Sequence, residues 1–392
     1  MTDLCTDLAR LLLIVPLTAG ALACNDTPGV LTGTGTTTET NTSTGEPPDG
    51  TTSTGAASSS SGVVDSTSGD GSSGTAAGSE STGEPPVQDM GCPECTVLAD
   101  ELVGGRGLFI DDQWVYWTDQ DAGRVERVPK EGGERELIAD GQTQPYGVGA
   151  TGEFAFWTSF TEMGTVQRRP VAGGPIIAVA ADAFPRFLQV EGDWIYWCSF
   201  DDVLGRVRRV SSIGVGNPPQ TLVSVGSGVA DLEVVGDTVY FTAHLPPAAM
   251  GLAPEGLVYG ASSQVPTDEL DLQALAVEQA EPWGIAHASG SVFWINGVGD
   301  PQDEPRRVQT LPSDAVEGDP TALALQQTAP WGIAADDQYV YWTDYIEVKA
   351  IPHGGGDQIL LADLQNVARS ILVDDDSVYW ITRNRVLRRP KP

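Results

Sequence analysis

Seven adjacent pairs of bulky aromatic residues recur along the chain: Tyr116-Trp117, Phe156-Trp157, Tyr196-Trp197, Tyr240-Phe241, Phe293-Trp294, Tyr341-Trp342 and Tyr379-Trp380. Their spacings of 40, 40, 44, 53, 48 and 38 residues mark an internal repeat. A polar turn stands just before each pair, as in IDDQW, VEGDW and AADDQY. Short polar residues and glycine are the chemistry of a hairpin. After each pair comes a second alternating stretch (RVERVP, TVQRRP, RVLRRP), then in several units a glycine-rich turn and a short apolar run such as ELIA or QILLA.

Each unit therefore reads as four short antiparallel strands. Adjacent residues on a strand point to opposite faces, so a Tyr-Trp pair requires a sheet covered on both sides. Radial packing of four-stranded blades provides this, each blade lying between two neighbours. A single β-sandwich is the alternative, and the regular period over about three hundred residues opposes it. The expected fold is all-β: a seven-bladed β-propeller of four-stranded antiparallel blades over 91–392. The last unit ends at RVLRRPKP, one strand short, while CTVLADEL at 95–102 resembles the outer-strand run RELIADGQ at 135–142. The N-terminal strand is thus expected to join the last blade and close the ring, leaving no exposed edge.

With these residues the phrase VYWTD resembles the YWTD repeats of low-density-lipoprotein-receptor propellers and the related TolB-like bacterial propellers. The strict tetrad occurs at 116–119 and 341–344 only. The resemblance covers 96–392 and implies a ring-shaped binding platform more often than an enzyme. Family members usually have six blades; seven are counted here.

The chain before the repeats is of a different kind. Residues 1–23 carry the apolar run LLLIVPLTAGALA and read as a signal peptide. ALAC at 21–24 resembles a bacterial lipobox, which implies acylation of Cys24 as a lipid anchor; ordinary secretion after cleavage at the same bond is the alternative. Residues 24–90 are rich in Thr, Ser, Gly and Pro, with almost nothing to bury, and are expected to form a disordered tether. The net charge of −33 is shared by the leader-and-tether region and the repeats. Such acidity argues against nucleic acid and against anionic membrane surfaces as partners, leaving the lipid anchor as the only expected membrane contact. Cys92 and Cys95 form CPEC, with neither a βαβ context for redox chemistry nor a second pair for zinc, and a local disulfide is expected. Cys198 takes the Thr position of its repeat and reads as a small buried apolar residue.

The residues just before each innermost strand should line the mouth of the central channel. They are Arg106, Tyr146, Arg186, Ala230, Trp283, Trp331 and Arg369. Guanidiniums offer forked donors to oxyanions and rings stack on apolar faces, so an anionic or sugar-like ligand is expected. The alternative is structural: the tryptophans pack between blades and the arginines pair with nearby acids. Asp119, Asp121, Glu162, Asp201, Asp202 and Asp344 are expected to form an acidic rim. The long loop Ala243–Gly256, carrying His244 and Met250, is placed as a partial lid.

Three histidines in three different units, with no HExxH, GxSxG or Cys/His spacing, give no catalytic motif. No metal site and no cofactor are expected. The functional expectation is a monomeric, tethered, non-catalytic binding or scaffolding protein. It is exported to the outer membrane or cell surface and takes a protein, glycan or small anionic ligand. The rival is a secreted propeller lyase or hydrolase using the same mouth, with His244 or Glu162 as its candidates.

Overall fold

A computed structural model describes residues 91–392 except 202–203, 214–215, 227, 245–254, 268–271 and 298–305. The leader, Cys24, the tether and Met250 lie outside the described residues. Among the described residues, twenty-eight strands form seven separate four-stranded antiparallel sheets. No described helix is long and apolar enough to cross a membrane. The chain is a seven-bladed β-propeller. Its inner strands are Gly105–Ile110, Pro145–Ala150, Leu188–Glu191, Gly228–Val235, Pro282–Ala288, Pro330–Ala335 and Ile371–Val373.

In blade 7 the outermost strand is Thr96–Ala99, which pairs antiparallel with Val386–Pro390. Leu98, Ala99 and Leu102 pack with Tyr379 of blade 7 and with Trp117 and Val128 of blade 1. The N-terminal strand thus takes the edge that the last strand would otherwise leave open. Cys92 and Cys95 are disulfide-bonded, and Cys92 is buried where blades 6 and 7 meet.

The aromatic pairs make the interfaces between blades. Seven apolar clusters occupy the seven interfaces, each joining the first aromatic of one blade to the second aromatic of the next. Tyr116 packs with Trp157, Phe156 with Trp197, Tyr196 with Phe241 and Tyr240 with Trp294. Phe293 packs with Trp342, Tyr341 with Trp380, and Tyr379 with Trp117, which closes the circle. All six tryptophans of the pairs are 0% exposed.

Two polar features accompany this packing. Five of those indoles donate to a side chain fifteen residues upstream: Trp157 to Gln142, Trp197 to Asp182, Trp294 to Gln279, Trp342 to Gln327 and Trp380 to Gln365. A buried N–H left without an acceptor would be costly, and each of these five finds its acceptor at or just past the end of the preceding blade's outer strand. At the turns, Asp111, Asp336 and Asp374 each accept two backbone N–H groups through Oδ1. The paired aspartates therefore begin hairpins. Asp336 and Asp374 also accept the hydroxyls of Tyr341 and Tyr379.

Candidate functional site: the channel mouth

Strand register gives the seven mouth positions a common geometry. Leu108, Val148, Leu188, Leu232, Ile285, Ile333 and Ile371 all pair with the second aromatic of their own blade. The seven mouth residues each stand two positions before these. In blades 1, 2, 5 and 6 the ladder shifts register at this point, so that two residues oppose one. Such a β-bulge bends the strand and re-aims its side chains.

The Thr of the repeat fills the gap in the ladder. Thr118 Oγ1 accepts the Gly107 N–H at 2.8 Å and donates to the Tyr146 carbonyl of the next blade at 2.7 Å. Thr158 joins Gly147 to Arg186 in the same way, and Thr343 joins Gly332 to Arg369. Thr242 donates to the carbonyl of Trp283. Four mouth residues are thus held through their backbone by the blade before. The glycine after the mouth residue permits this approach: a Cβ on Gly107 would lie 2.2 Å from the Tyr146 carbonyl oxygen.

The side chains meet in a closed circuit. The Arg106 guanidinium lies 4.4 Å from the Tyr146 ring centre and 5.2 Å from that of Trp331, and donates to the Tyr146 hydroxyl at 2.9 Å. Trp331 packs on Trp283 at 5.1 Å, and Arg186 lies 6.0 Å from Trp283 and 5.2 Å from Phe160. Phe160 returns to Tyr146 at 5.2 Å. Arg369 stands beside this circuit, donating to the Gly105 carbonyl. Its burial and the nearby positive charge of Arg106 hold its pKa below the usual guanidinium value. Among the described residues, none of the three arginines has an ion-pair partner. Ala230, the seventh position, is buried.

Several expected rim and lid residues lie elsewhere. His244 belongs to no loop: it is the last residue of strand Thr238–His244, paired with Gly228 and Gly256. Its ring stacks on Trp283 at 5.1 Å, since a flat apolar face there gains more from contact than from water. Burial, followed by the charge of Arg186, lowers its pKa to about 4, so the imidazole is neutral at pH 7. Asp119 and Asp344 are buried rather than at the rim, because backbone N–H groups need them. Asp119 accepts from Val103 and Gly104, and Asp344 from Thr328 and Ala329. Asp201 accepts the Leu204 N–H and pairs with Arg206, closing its own turn. Asp121 and Glu162 are exposed, and Asp202 is outside the described residues. His287 stacks on Tyr240, and His353 packs against Phe293.

Three contributors escaped the sequence reading. Phe160 completes the circuit from the end of the second strand of blade 2. Asp231 and Glu233, on the inner strand of blade 4, line the cavity below the mouth. A carboxylate inside an apolar alternation was the only available signal. No group of three His, Cys, Asp or Glu side chains is placed to hold a metal ion among the described residues.

No protein-family model matches the chain. A stretch of 84 residues, 21% of this chain, is 24% identical to human sortilin-related receptor, of which it covers 4%. Another of 82 residues, 20% of this chain, is 32% identical to human low-density lipoprotein receptor-related protein 5, of which it covers 5%. The matched segments are thus about a twentieth of those curated relatives, and their likeness is that of YWTD-type propeller repeats. Among solved structures, a streptogramin B lyase aligns with a TM-score of 0.56 at 12% identity, over 75% of this chain and 96% of that one. Virginiamycin B lyase from Staphylococcus aureus aligns with a TM-score of 0.57 at 11% identity, over 76% and 98%. These likenesses concern the fold alone.

Proposed function

We propose that this chain is a non-catalytic binding protein, carried outside the cytoplasm on a tether anchored at Cys24, whose propeller mouth takes an anionic or sugar-like ligand. One observation carries the reading. A chain of net charge −33 gathers three guanidiniums at one mouth without an ion-pair partner among the described residues. Surface arginines in so acidic a protein ordinarily find carboxylates, as Arg206 and Arg388 do. Aromatic faces hold Arg106 and Arg186 in place, and the Gly105 carbonyl holds Arg369, while their charge is left to be met by a ligand. The likeness to stretches of a sortilin-related receptor and of a low-density lipoprotein receptor-related protein agrees with a binding role. Titration of the full chain with 3-phenylpropionate, followed calorimetrically, tests this. Binding that weakens about tenfold in Arg186→Ala or Trp283→Ala supports the mouth, and undiminished binding in both variants removes it. An unmodified Cys24 in the mass spectrum of the mature protein would refute the anchor.

One observation favours a second reading, a lyase or hydrolase. His244 is a neutral imidazole with Nδ1 buried and without a hydrogen-bond partner among the described residues, next to Arg186 and on the ring of Trp283. A neutral imidazole beside an anion-binding guanidinium is the arrangement of a general base. Turnover of a bound compound that is abolished in His244→Gln, with binding retained, would replace the non-catalytic reading.

A further inference from the structure

Below the mouth, the inner strands of all seven blades enclose one cavity of about 280 Å³. Counted from the residue that pairs with the second aromatic of its blade (Trp117 for Leu108, Phe241 for Leu232), Arg106 lies two positions before, Asp231 one before and Glu233 one after. Arg106 and Gly107 together oppose Thr118, the level at which Asp231 opposes Thr242, so Asp231 lies about level with the mouth and Glu233, two residues on, about 7 Å deeper. Still deeper, the wall is apolar, with Ile110, Val190 and Val373. The cavity is therefore cationic at its outer end, acidic from Asp231 down to Glu233 and greasy at the bottom.

The two charged regions do not satisfy one another. Among the described residues, Asp231 accepts only the backbone N–H groups of Leu232, at 2.9 Å, and Ile285, at 3.3 Å. Glu233 faces the cavity with no hydrogen-bond partner among the described residues, and neither carboxyl has an ion pair there. Burial raises both pKa values, Asp231 to about 7 and Glu233 to about 8, the latter helped by the charges of Asp231 and Glu191. No guanidinium offsets that rise. Opposite charges that were close enough to pair would have moved these values downward. One small space thus holds cations lacking an anion and carboxyls lacking a cation.

We infer that the channel takes an ω-amino acid, a linear molecule whose carboxylate meets Arg106 at the mouth and whose ammonium reaches Asp231 and Glu233. This rests on the mouth being the ligand site and adds the second pole and the ligand's length. The volume suits a single short chain, below the range of drug-sized pockets. On binding, the ammonium would displace the proton of Glu233 to solvent, leaving a carboxylate–ammonium pair in a medium of low dielectric.

Calorimetry of the full chain at pH 7.5 with 6-aminohexanoate, hexanoate and hexylamine tests the inference. 6-Aminohexanoate is expected to bind about tenfold more tightly than hexanoate, with proton release visible as a dependence of heat on buffer ionisation. Glu233→Gln copies the protonated carboxyl that burial favours, and so preserves the fold. It should remove that advantage while leaving hexanoate within about twofold. Arg106→Ala should weaken both carboxylates. Equal affinity of hexanoate and 6-aminohexanoate for the wild type, with hexanoate still dependent on Arg106, overturns the inference and leaves the mouth standing. Binding of neither overturns the inference, while the phenylpropionate titration still decides the mouth.

Discussion

Replacing Thr343 by Val tests whether the threonine clamp is what fixes the mouth. The two side chains have nearly the same shape, so the change removes a hydroxyl and little else. That hydroxyl accepts the Gly332 N–H at 2.9 Å and donates to the Arg369 carbonyl at 2.6 Å. Thr343 is fully buried, so water has no easy route to replace it. A buried backbone group left unpaired costs about 1–3 kcal/mol, and two such groups give roughly 2–4 kcal/mol after partial relaxation. For a folded body of about three hundred residues this lowers the thermal midpoint by about 3–6 °C. Cys198 supplies the control. Its Sγ occupies the same place in blade 3, 3.9 Å from the Ala230 carbonyl, and receives the Phe187 N–H. Sulfur makes the weaker bridge, so Cys198→Thr should stabilise by up to about 1 kcal/mol. Differential scanning calorimetry of the full chain measures both changes. A shift below about 1 °C for Thr343→Val, or a destabilised Cys198→Thr, would show that the bulge is held by the strands themselves.

Three further outcomes follow from the same contacts. Trp342→Ala opens a cavity where blades 5 and 6 meet and should cost about 3–5 kcal/mol in urea unfolding, whereas a loss under about 1 kcal/mol would contradict the interface assignment. Deleting residues 91–102 strips Leu98 and Leu102 from the interface of blades 7 and 1 and bares the edge of Val386–Pro390. Strong destabilisation with self-association in sedimentation is expected, and a stable monomer would argue against closure by this strand. Glu233 has a folded-state pKa raised from 4.5 to about 8, so the stability its proton confers is complete below about pH 4.5 and lost as pH rises through about 8. Glu233→Gln should therefore match the wild type at pH 4 and exceed it at pH 9 by a few kcal/mol, at most about 5; equal stability at both pH values would contradict its burial.

The ring was legible in the sequence because its signal is periodic and redundant. Each Tyr-Trp pair needs cover on both faces, and only a neighbouring copy of the same unit supplies it. The seven equivalent positions could be aligned as well, since Arg106, Tyr146, Arg186 and their counterparts hold a fixed offset from the second aromatic of their own blade. The acceptors for the indoles were periodic too. Gln142, Gln279, Gln327 and Gln365 each precede a Trp by fifteen residues, a regularity whose meaning appears only when the end of one blade's outer strand is seen to lie against the second strand of the next blade. Misreadings arose where one residue type serves two ends. Asp119 and Asp344 resembled solvent-facing acids at strand ends, yet the chain returning toward the inner strand presents N–H groups that only a buried acceptor can satisfy.

Asp231 and Glu233 mark a different limit. In GVADLEVV they alternate with apolar residues as any half-exposed strand would, and alternation alone assigns them to solvent. On a radial blade the face opposite the packed one, at the innermost strand, does not look out to bulk water. It looks across a channel at six other inner strands. The same alternation that puts a carboxylate in water on an open sheet puts it in a closed cavity once the seventh blade meets the first. Ring closure thus converts two ordinary acids into a pair whose protons are held near neutrality, opposite arginines they do not touch. That chemistry belongs to no single repeat, which is why the repeats, read one at a time, show the scaffold plainly and leave the inner pole of the site unseen.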